Sequence, residues 1–295
     1  MDDVTAQVTE TGTPRYLAML EGDRADWWQS KNFDKWKSHY ISEYPRGGFI
    51  LDRLRRYVPD FQVVGARMLD VGCGDAGVPI AFAEAGAEAV GVEPFERSVE
   101  RGKVRAEEHG VRLELQQAFA ESLPFPDASF DLVVLDNVLE HVQDRDRTLA
   151  EIRRVLRPGG VLYLVTPKPF ALYSLWSDPH YAMVGLVLLP RPLQVWYFER
   201  VRGGGEGNYG VGVIPTRRWV LGRLGRSGFQ LLASPRDLWV DYVRSKILRP
   251  GEISTGLKRR VAGWVERHPG ATDGRLASWL WDVGMGSNFF IARRD

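Results

Sequence analysis

Three glycines in the stretch MLDVGCGDAG have a spacing that could hold a cofactor, Gly72-x-Gly74-x-x-Gly77. Glycines at this spacing let the backbone turn tightly and approach a ligand closely, and such loops bind several adenosine-containing cofactors. Two acids accompany the loop, Asp70 before it and Glu93 after it. The pattern predicts a cofactor-binding loop, and the two acids indicate which cofactor chemistry suits it.

Asp70 ends a predicted strand two residues before Gly72, so we expect its carboxylate to face the ligand crevice. A carboxylate there would repel the pyrophosphate of a dinucleotide. It would favour S-adenosylmethionine (SAM), which has no phosphate and carries an ammonium and a sulfonium. The alternative for Asp70 is a helix cap or a loop brace. Glu93 ends the next predicted strand, 21 residues after Gly72, and a carboxylate there can accept hydrogen bonds from both ribose hydroxyls of either cofactor.

The elements that must position these residues alternate between strands and helices. Short apolar runs predict strands, and longer amphipathic runs ended by glycine or proline predict helices. Mostly apolar strands that alternate with helices form a parallel sheet covered on both faces, so the predicted fold class is α/β. The predicted strands are 66–72, 88–94, 111–118, 130–138 and 160–167, and the predicted helices are 78–86, 96–110 and 146–160.

Several motifs resemble those of the class I, Rossmann-like, SAM-dependent methyltransferases. They are LDVGCG (69–74), GVEP (91–94), the stretch 118–142 that ends in LEHV, LRPGGVLYLVTP (156–167), GFQLL (228–232) and SNFFIARR (287–294). The last two are similar to the family's strands six and seven, and LEHV to a helix after strand four. The resemblance implies a seven-stranded, mostly parallel sheet sandwiched by helices, SAM as the cofactor, and methyl transfer to a small-molecule acceptor.

The resemblance also implies roles for residues near the loop. Asp70, Gly72 and Gly74 would surround the methionine portion of SAM, with loop amides available to its carboxylate. Glu93 would accept hydrogen bonds from the ribose hydroxyls, and Pro94 would pack beside the adenine.

On the adenine side, Phe119 stands where many family members have an aspartate that reaches the adenine amino group. The Ala120 amide and Glu121 are therefore the polar candidates, while Phe119 would stack on the ring or wall it. Asp136 and Asn137, at the end of strand four, should lie near the sulfonium and the acceptor. The predicted cofactor-binding set is Asp70, Gly72, Cys73, Gly74, Glu93, Pro94, Phe119, Ala120, Glu121, Asp136 and Asn137.

Two histidines are candidates for the base that removes a proton from a hydroxyl acceptor. His141, in LEHV, is the nearest in sequence to the reacting end, and its alternative role is to orient the cofactor loop. His180 follows the Asp178–Pro179 pair, which favours a turn, in the insertion after strand five. No metal site is predicted. The aromatic candidates for acceptor contacts are Trp176, Tyr181 and Trp196, which alternatively form a self-packing core in that insertion.

The core is interrupted by added segments. Thr216 is the predicted N-cap of the helix that follows the first insertion, and residues 182–190 are predicted to form a buried helix. The predicted divisions are an N-terminal helical cap (1–62), a SAM-binding core (63–167), a substrate lid after strand five (168–215), a core helix with strand six (216–240), a second helical insertion (241–286) and strand seven (287–295).

Composition excludes several partners. The formal net charge of +1 argues against nucleic-acid binding, and DNVL (136–139) stands where amino-group DNA methyltransferases have Asp/Asn-Pro-Pro-aromatic. Cys73, the single cysteine, cannot form an internal disulfide. The longest apolar stretch, Ala182–Leu189, is too short for stable membrane insertion, and the polar first 13 residues predict no signal peptide. We therefore expect a cytoplasmic protein, whether monomer or homodimer.

The expected activity is methylation of a hydroxyl oxygen on a secondary metabolite or sugar, in free, activated or lipid-linked form. The alternatives are methylation of nitrogen or carbon on a small molecule, a non-catalytic SAM-fold binding protein, and, from the glycine spacing alone, an NAD oxidoreductase.

Overall fold

The computed structural model describes residues 13–23, 37–168, 183–202, 214–233, 267 and 287–295, and every structural statement below refers to these residues. The predicted second insertion (241–286) therefore lies outside the described residues, apart from residue 267.

Seven strands form one sheet in the order β3-β2-β1-β4-β5-β7-β6. The strands β1 to β5 pair in parallel, whereas β7 runs antiparallel to both β5 and β6. The predicted seven-stranded, mostly parallel sheet is therefore confirmed. The strands are β1 (Arg67–Val71), β2 (Glu88–Glu93), β3 (Glu114–Gln117), β4 (Phe130–Asp136), β5 (Leu156–Pro167), β6 (Phe229–Leu231) and β7 (Ser287–Arg294).

Helices cover both faces of the sheet. Leu162 and Leu164 of β5 pack in one apolar cluster with side chains of α5 and α7, while Val161 and Tyr163 pack in another with side chains of α2 and α3. This alternation is the period of two expected for a sheet that is buried on both faces. The helices are α1 (Pro14–Gly22), α2 (Glu43–Tyr57), α3 (Gly77–Glu84), α4 (Glu96–Glu108), α5 (Arg145–Val155), α6 (Arg191–Arg202) and α7 (Arg217–Arg226), and residues 37–41 are also helical.

The N-terminal helices dock on the core through α3 and α4. Helix α1 packs on α4, where Glu108 accepts hydrogen bonds from the amides of Arg15 (2.7 Å) and Tyr16 (3.0 Å) and so caps the first turn of α1. Helix α2 packs on α3. These contacts bring the amino end of α2 against the glycine loop.

Two predicted element boundaries were wrong. The helix predicted over 146–160, with a break at Pro158, ends earlier, at Val155, and the chain enters β5 at Leu156. Pro158 disfavours the helical conformation in the residue before it, and Gly159 has a φ of +78°. The predicted LEHV helix is a turn, in which the His141 amide donates to the Val138 carbonyl (2.8 Å).

The buried helix predicted over 182–190 was also wrong. Only Leu186–Leu188 is helical, as one 3₁₀ turn, because Gly185 adopts a φ of +69°. Met183 and Leu186 are buried, whereas Val184 and Leu188 are exposed. The predicted N-cap at Thr216 was correct, since its hydroxyl accepts a hydrogen bond from the Trp219 amide (3.2 Å). None of the described helices is long and apolar enough to span a membrane.

Candidate cofactor and acceptor site

The glycine loop connects β1 to α3 at the carboxyl edge of the parallel strands, where ligands of this fold class bind. Gly72 (φ +73°) and Gly74 (φ +54°) adopt left-handed conformations that favour glycine. A Cβ at Gly72 would collide with Val138, and a Cβ at Gly74 would collide with Glu43 Oε1. The two glycines are thus required by close protein contacts as well as by backbone conformation.

Every amide of the loop from residue 72 to residue 77 already has an acceptor within the protein. The amides of residues 72 and 73 donate to the Val92 carbonyl (2.8 and 3.0 Å), and the amide of residue 76 donates to the Cys73 carbonyl (2.9 Å). The amide of residue 74 donates to Glu93 Oε2 (3.1 Å). Those of residues 75 and 77 donate to Glu43 Oε2 (3.1 and 3.4 Å). The expectation that these amides are available to a ligand carboxylate was therefore wrong.

Glu93 ends β2 with its side chain buried beside the loop. In addition to the bond from Gly74, its Oε1 accepts a weaker bond from the Phe95 amide (3.4 Å). Burial raises the pKa of Glu93 to about 7, against the lowering effect of the two amides. The side chain therefore lies at the predicted ribose position, and loss of solvent there destabilises its charged form.

Asp70 and Asp136 occupy the ends of the neighbouring strands β1 and β4. Burial raises the pKa of Asp70 well above its usual range, the charge of Asp136 raises it further, and Arg46 opposes both. Burial likewise raises the pKa of Asp136, against Arg46. The Arg46 Nη1 donates to Asp136 Oδ2 at 3.3 Å, and Asn137 Nδ2 donates to Asp136 Oδ1 at 2.8 Å.

Asn137 holds a left-handed backbone conformation (φ +57°) directly after β4, and its amide donates to the Val165 carbonyl (3.0 Å). Non-glycine residues in this region are uncommon and cluster at functional sites. Asp136 and Asn137 therefore form a fixed polar pair at the edge where the resemblance predicts the reacting end of the cofactor.

The predicted adenine side is flanked by two exposed aromatic side chains, Phe95 (69% exposed) and Phe119 (63% exposed). The ends of β2 and β3 that carry them are joined, because Gln117 Nε2 donates to the Pro94 carbonyl at 2.9 Å. Among the described residues, no group accepts a hydrogen bond from the Ala120 amide. That amide remains a candidate for the adenine.

Two predicted cofactor residues face elsewhere. The Glu121 Oε1 accepts a hydrogen bond from the Gln143 amide (2.8 Å) in the turn before α5, so this carboxylate braces the chain. The Cys73 side chain is buried in an apolar cluster with Ala76 and Ile80, and burial raises the pKa of its thiol well above the usual range. Only the backbone of Cys73 can therefore contact a ligand in this arrangement.

The acceptor side is described in part. The His141 ring is partly exposed, and its Nε2 lies 4.0 Å from Oε1 of the buried Glu140. Trp196, on α6, is 60% exposed. The other predicted acceptor and base residues, Trp176, His180 and Tyr181, lie outside the described residues.

Sequence reasoning missed Glu43, Arg46 and Phe95. Glu43 and Arg46 are three residues apart on α2 and so share a helix face, but that helix carries several other charged residues and nothing in the sequence distinguishes these two. Phe95 had a usable signal, a large apolar residue immediately after the predicted ribose acid and its proline. No group of three or more His, Cys, Asp or Glu side chains in the described part of the chain has an arrangement that could hold a metal ion.

The sheet order and the acid-lined glycine loop together define a class I SAM-dependent methyltransferase. The chain belongs to this family: a ubiquinone biosynthesis O-methyltransferase that is 31% identical is matched over 69% of its length, and residues 69–164 match a methyltransferase domain. The cofactor is SAM.

Relatives extend the match beyond that domain. The chain is 31% identical to a ubiquinone biosynthesis O-methyltransferase of Cereibacter sphaeroides over 175 residues, 56% of this chain and 69% of that protein. It is 39% identical over 130 residues to a 27-O-demethylrifamycin SV methyltransferase of Amycolatopsis mediterranei, 42% of this chain and 47% of that protein. The crystal structure of a SAM-dependent methyltransferase from Mesorhizobium loti shares the fold with a TM-score of 0.51 at 22% identity, over 82% of this chain and 96% of that one.

Proposed function

We propose that this SAM-dependent methyltransferase acts on a hydroxyl oxygen of a small molecule, a secondary metabolite or a sugar in free, activated or lipid-linked form. The names of both curated relatives support oxygen as the methylated atom, since one is a ubiquinone biosynthesis O-methyltransferase and the other a 27-O-demethylrifamycin SV methyltransferase. The absence of a nucleic-acid substrate belongs to the same proposal, on the net charge of +1. A cytoplasmic location is also proposed, on the single cysteine of the sequence.

The observation that carries the cofactor part of the proposal is the trio of buried carboxylates around the glycine loop. Asp70, Glu93 and Asp136 all have pKa values raised chiefly by burial. A ligand with an ammonium and a sulfonium would stabilise the charged form of these acids, whereas a pyrophosphate would not. The site thus suits SAM in charge, and Glu93 would accept hydrogen bonds from its ribose hydroxyls.

The methionine carboxylate of SAM needs a partner other than the loop amides, because those amides donate within the protein. We assign this role to Arg46, whose guanidinium reaches the same edge of the sheet and keeps part of its surface exposed. An arginine can hold a carboxylate through two parallel hydrogen bonds. Phe95 and Phe119 would wall the adenine, and the Ala120 amide would meet its polar edge.

Bound SAM supplies a methyl group on a sulfonium, which is already activated for transfer. The chain must therefore hold the acceptor in line and remove a proton from its hydroxyl. Asp136 and Asn137 would orient the reacting groups, and His141 and His180 remain the two candidate bases. The segment 168–215 would cover the acceptor, with Trp176, Tyr181 and Trp196 as its aromatic contacts.

The test is to incubate the intact chain with ¹³C-methyl SAM and a panel of phenols, sugars and amines, and to read the methylated atom by NMR. A methyl signal on oxygen is the expected result. A signal on nitrogen or carbon would favour the runner-up activity. If S-adenosylhomocysteine binds but no acceptor is methylated, the non-catalytic binding protein becomes the better account.

A further inference from the structure

The Glu43 carboxylate, at the amino end of α2, is buried against the glycine loop. Its Oε2 accepts hydrogen bonds from the amides of Asp75 (3.1 Å) and Gly77 (3.4 Å). The side chain is itself held by Arg105 of α4, whose Nη1 lies 3.3 Å from the same oxygen. The carboxylate therefore connects the N-terminal helix, the loop and α4 at one point.

The loop is fastened from two sides at consecutive residues. The Gly74 amide donates to Glu93 Oε2 (3.1 Å), and the next amide, that of Asp75, donates to Glu43 Oε2. Glu43 also lies so close to Gly74 that a Cβ at this glycine would collide with its Oε1. The geometry of the Glu93 carboxylate is therefore linked to Glu43 through two adjacent peptide groups.

The Asp75 side chain also holds the loop in place, through an ion pair with α4. It forms a bidentate ion pair with Arg101 of α4 at 2.8 Å for both bonds. Because α4 also carries Arg105, the helix holds both the loop and Glu43 in place. Movement of the loop relative to Glu93 is thus opposed both by Arg101, through the Asp75 side chain, and by Glu43, through the Asp75 and Gly77 amides.

We propose that Glu43 is a positioning residue for cofactor binding, which acts through the loop amides to hold the Glu93 carboxylate where it receives the ribose hydroxyls. The inference rests on the proposed ribose role of Glu93. If the Glu43 acceptor is removed, the Asp75 and Gly77 amides lose their partner, and the loop holds the neighbouring Gly74 amide less firmly against Glu93. Recognition of the ribose should then weaken more than recognition of the rest of the cofactor.

The experiment compares two replacements of similar size, Glu43→Gln, which keeps an oxygen acceptor, and Glu43→Leu, which does not. Calorimetry measures the affinity of each variant for S-adenosylhomocysteine and for its 2′,3′-dideoxyribose analogue. The wild-type chain should prefer the natural ligand by at least about tenfold, because charge-assisted hydrogen bonds are lost with the hydroxyls. Glu107→Gln is the matched control. It removes one carboxylate from an exposed ion pair between α4 and Arg15 of the N-terminal helix α1, away from the glycine loop.

The expected result is that the preference for the natural ribose falls to about threefold or less in Glu43→Leu and stays within about threefold of wild type in Glu43→Gln and Glu107→Gln. If Glu43→Leu binds more weakly but keeps the full ribose preference, Glu43 has only a structural role and the inference is overturned. If the wild-type chain binds the cofactor without preferring its ribose, the role of Glu93 fails, and this inference fails with it.

Amide hydrogen exchange on the wild-type chain gives a second test that requires no folded Leu variant. The amides of Asp75 and Gly77 should exchange slowly in the free protein, because Glu43 accepts from both. Exchange at both amides as fast as in an unstructured peptide would overturn the inference.

Discussion

Arg46 Nη1 lies 3.3 Å from Asp136 Oδ2, and this ion pair joins the N-terminal helix α2 to the carboxyl end of β4. The strand end carries the predicted reacting edge of the cofactor site, whereas α2 lies in a segment with no motif of the family. A residue of the N-terminal helical cap therefore contributes a cation to the acid-lined edge of the sheet.

We predict that Arg46→Met weakens S-adenosylhomocysteine binding by about tenfold or more, because a charge-assisted contact to the methionine carboxylate is lost. Adenosine lacks that carboxylate, so its affinity should change by less than about twofold. Calorimetry on both ligands measures the difference. Arg55→Met, in an exposed pair with Asp52 on the same helix, is the control. Equal losses for the two ligands would remove Arg46 from its assigned role.

The affinity for S-adenosylhomocysteine should rise as the pH increases through about 7, the pKa to which burial raises Glu93. Below this pH the carboxyl is protonated and accepts ribose hydroxyls poorly; above it the carboxylate accepts both well. Asp70, whose pKa burial also raises, acts in the same direction because the ligand ammonium favours its charged form. Glu93→Gln should reduce the slope in a calorimetric pH series. Affinity that falls with rising pH would have the wrong sign for this account.

Two arginines that share Asp23 should differ sharply in their contribution to stability. The Arg101 side chain is only 4% exposed and bonds both Asp23 and Asp75, whereas the Arg97 side chain is 50% exposed. Arg101→Met leaves the buried Asp75 carboxylate without its guanidinium partner, although the Tyr16 hydroxyl still donates to it, and should cost about 3–5 kcal/mol. Arg97→Met should cost less than about 1 kcal/mol. Urea unfolding measures the free energy of unfolding of both variants. Similar decreases in the two would show that the buried Arg101 pairs contribute no more to stability than the exposed Arg97 pair.

Adjacent glycines of α2 provide a test of its packing on α3. A Cβ at Gly47 would lie 2.5 Å from the Ala81 Cβ, whereas a Cβ at Gly48 would have no neighbour within 4 Å. Gly47→Ala should therefore destabilise the protein by about 1–3 kcal/mol. Gly48→Ala should stabilise it by about 0.4–1 kcal/mol through helix propensity and loss of unfolded-state freedom. Thermal unfolding separates the two, and a destabilised Gly48→Ala variant would contradict the packing described.

The fold was predictable because most strands and helices can be recognised from short stretches of the sequence. Strands β2 and β4 are apolar runs ended by acids, β1 carries Asp70 one residue before its end, and the predicted run 287–294 coincides with β7. The errors arose where one residue overrides a pattern: Gly185 adopts a left-handed conformation and interrupts an apolar run that otherwise favours a helix. Such a conformation depends on tertiary packing, which apolar periodicity does not encode.

The site was predictable only where function is carried by a motif. Asp70 and Glu93 follow from their place at strand ends, and the structure brings both to the glycine loop. Glu43 and Arg46 could not be found, because their roles arise from the docking of α2 on α3, some thirty residues further along the chain. The contact of Glu121 with the Gln143 amide could not be predicted for the same reason, since the two residues are distant in sequence.

The most direct test of the central claim is a calorimetric titration of the intact chain with S-adenosylhomocysteine, repeated on Glu93→Ala. We expect the wild-type chain to bind with a Kd on the order of micromolar, and Glu93→Ala to bind at least about tenfold more weakly, since two charge-assisted hydrogen bonds to the ribose are lost. Absence of binding by the wild-type chain, or equal affinity in the two proteins, would contradict the cofactor site described.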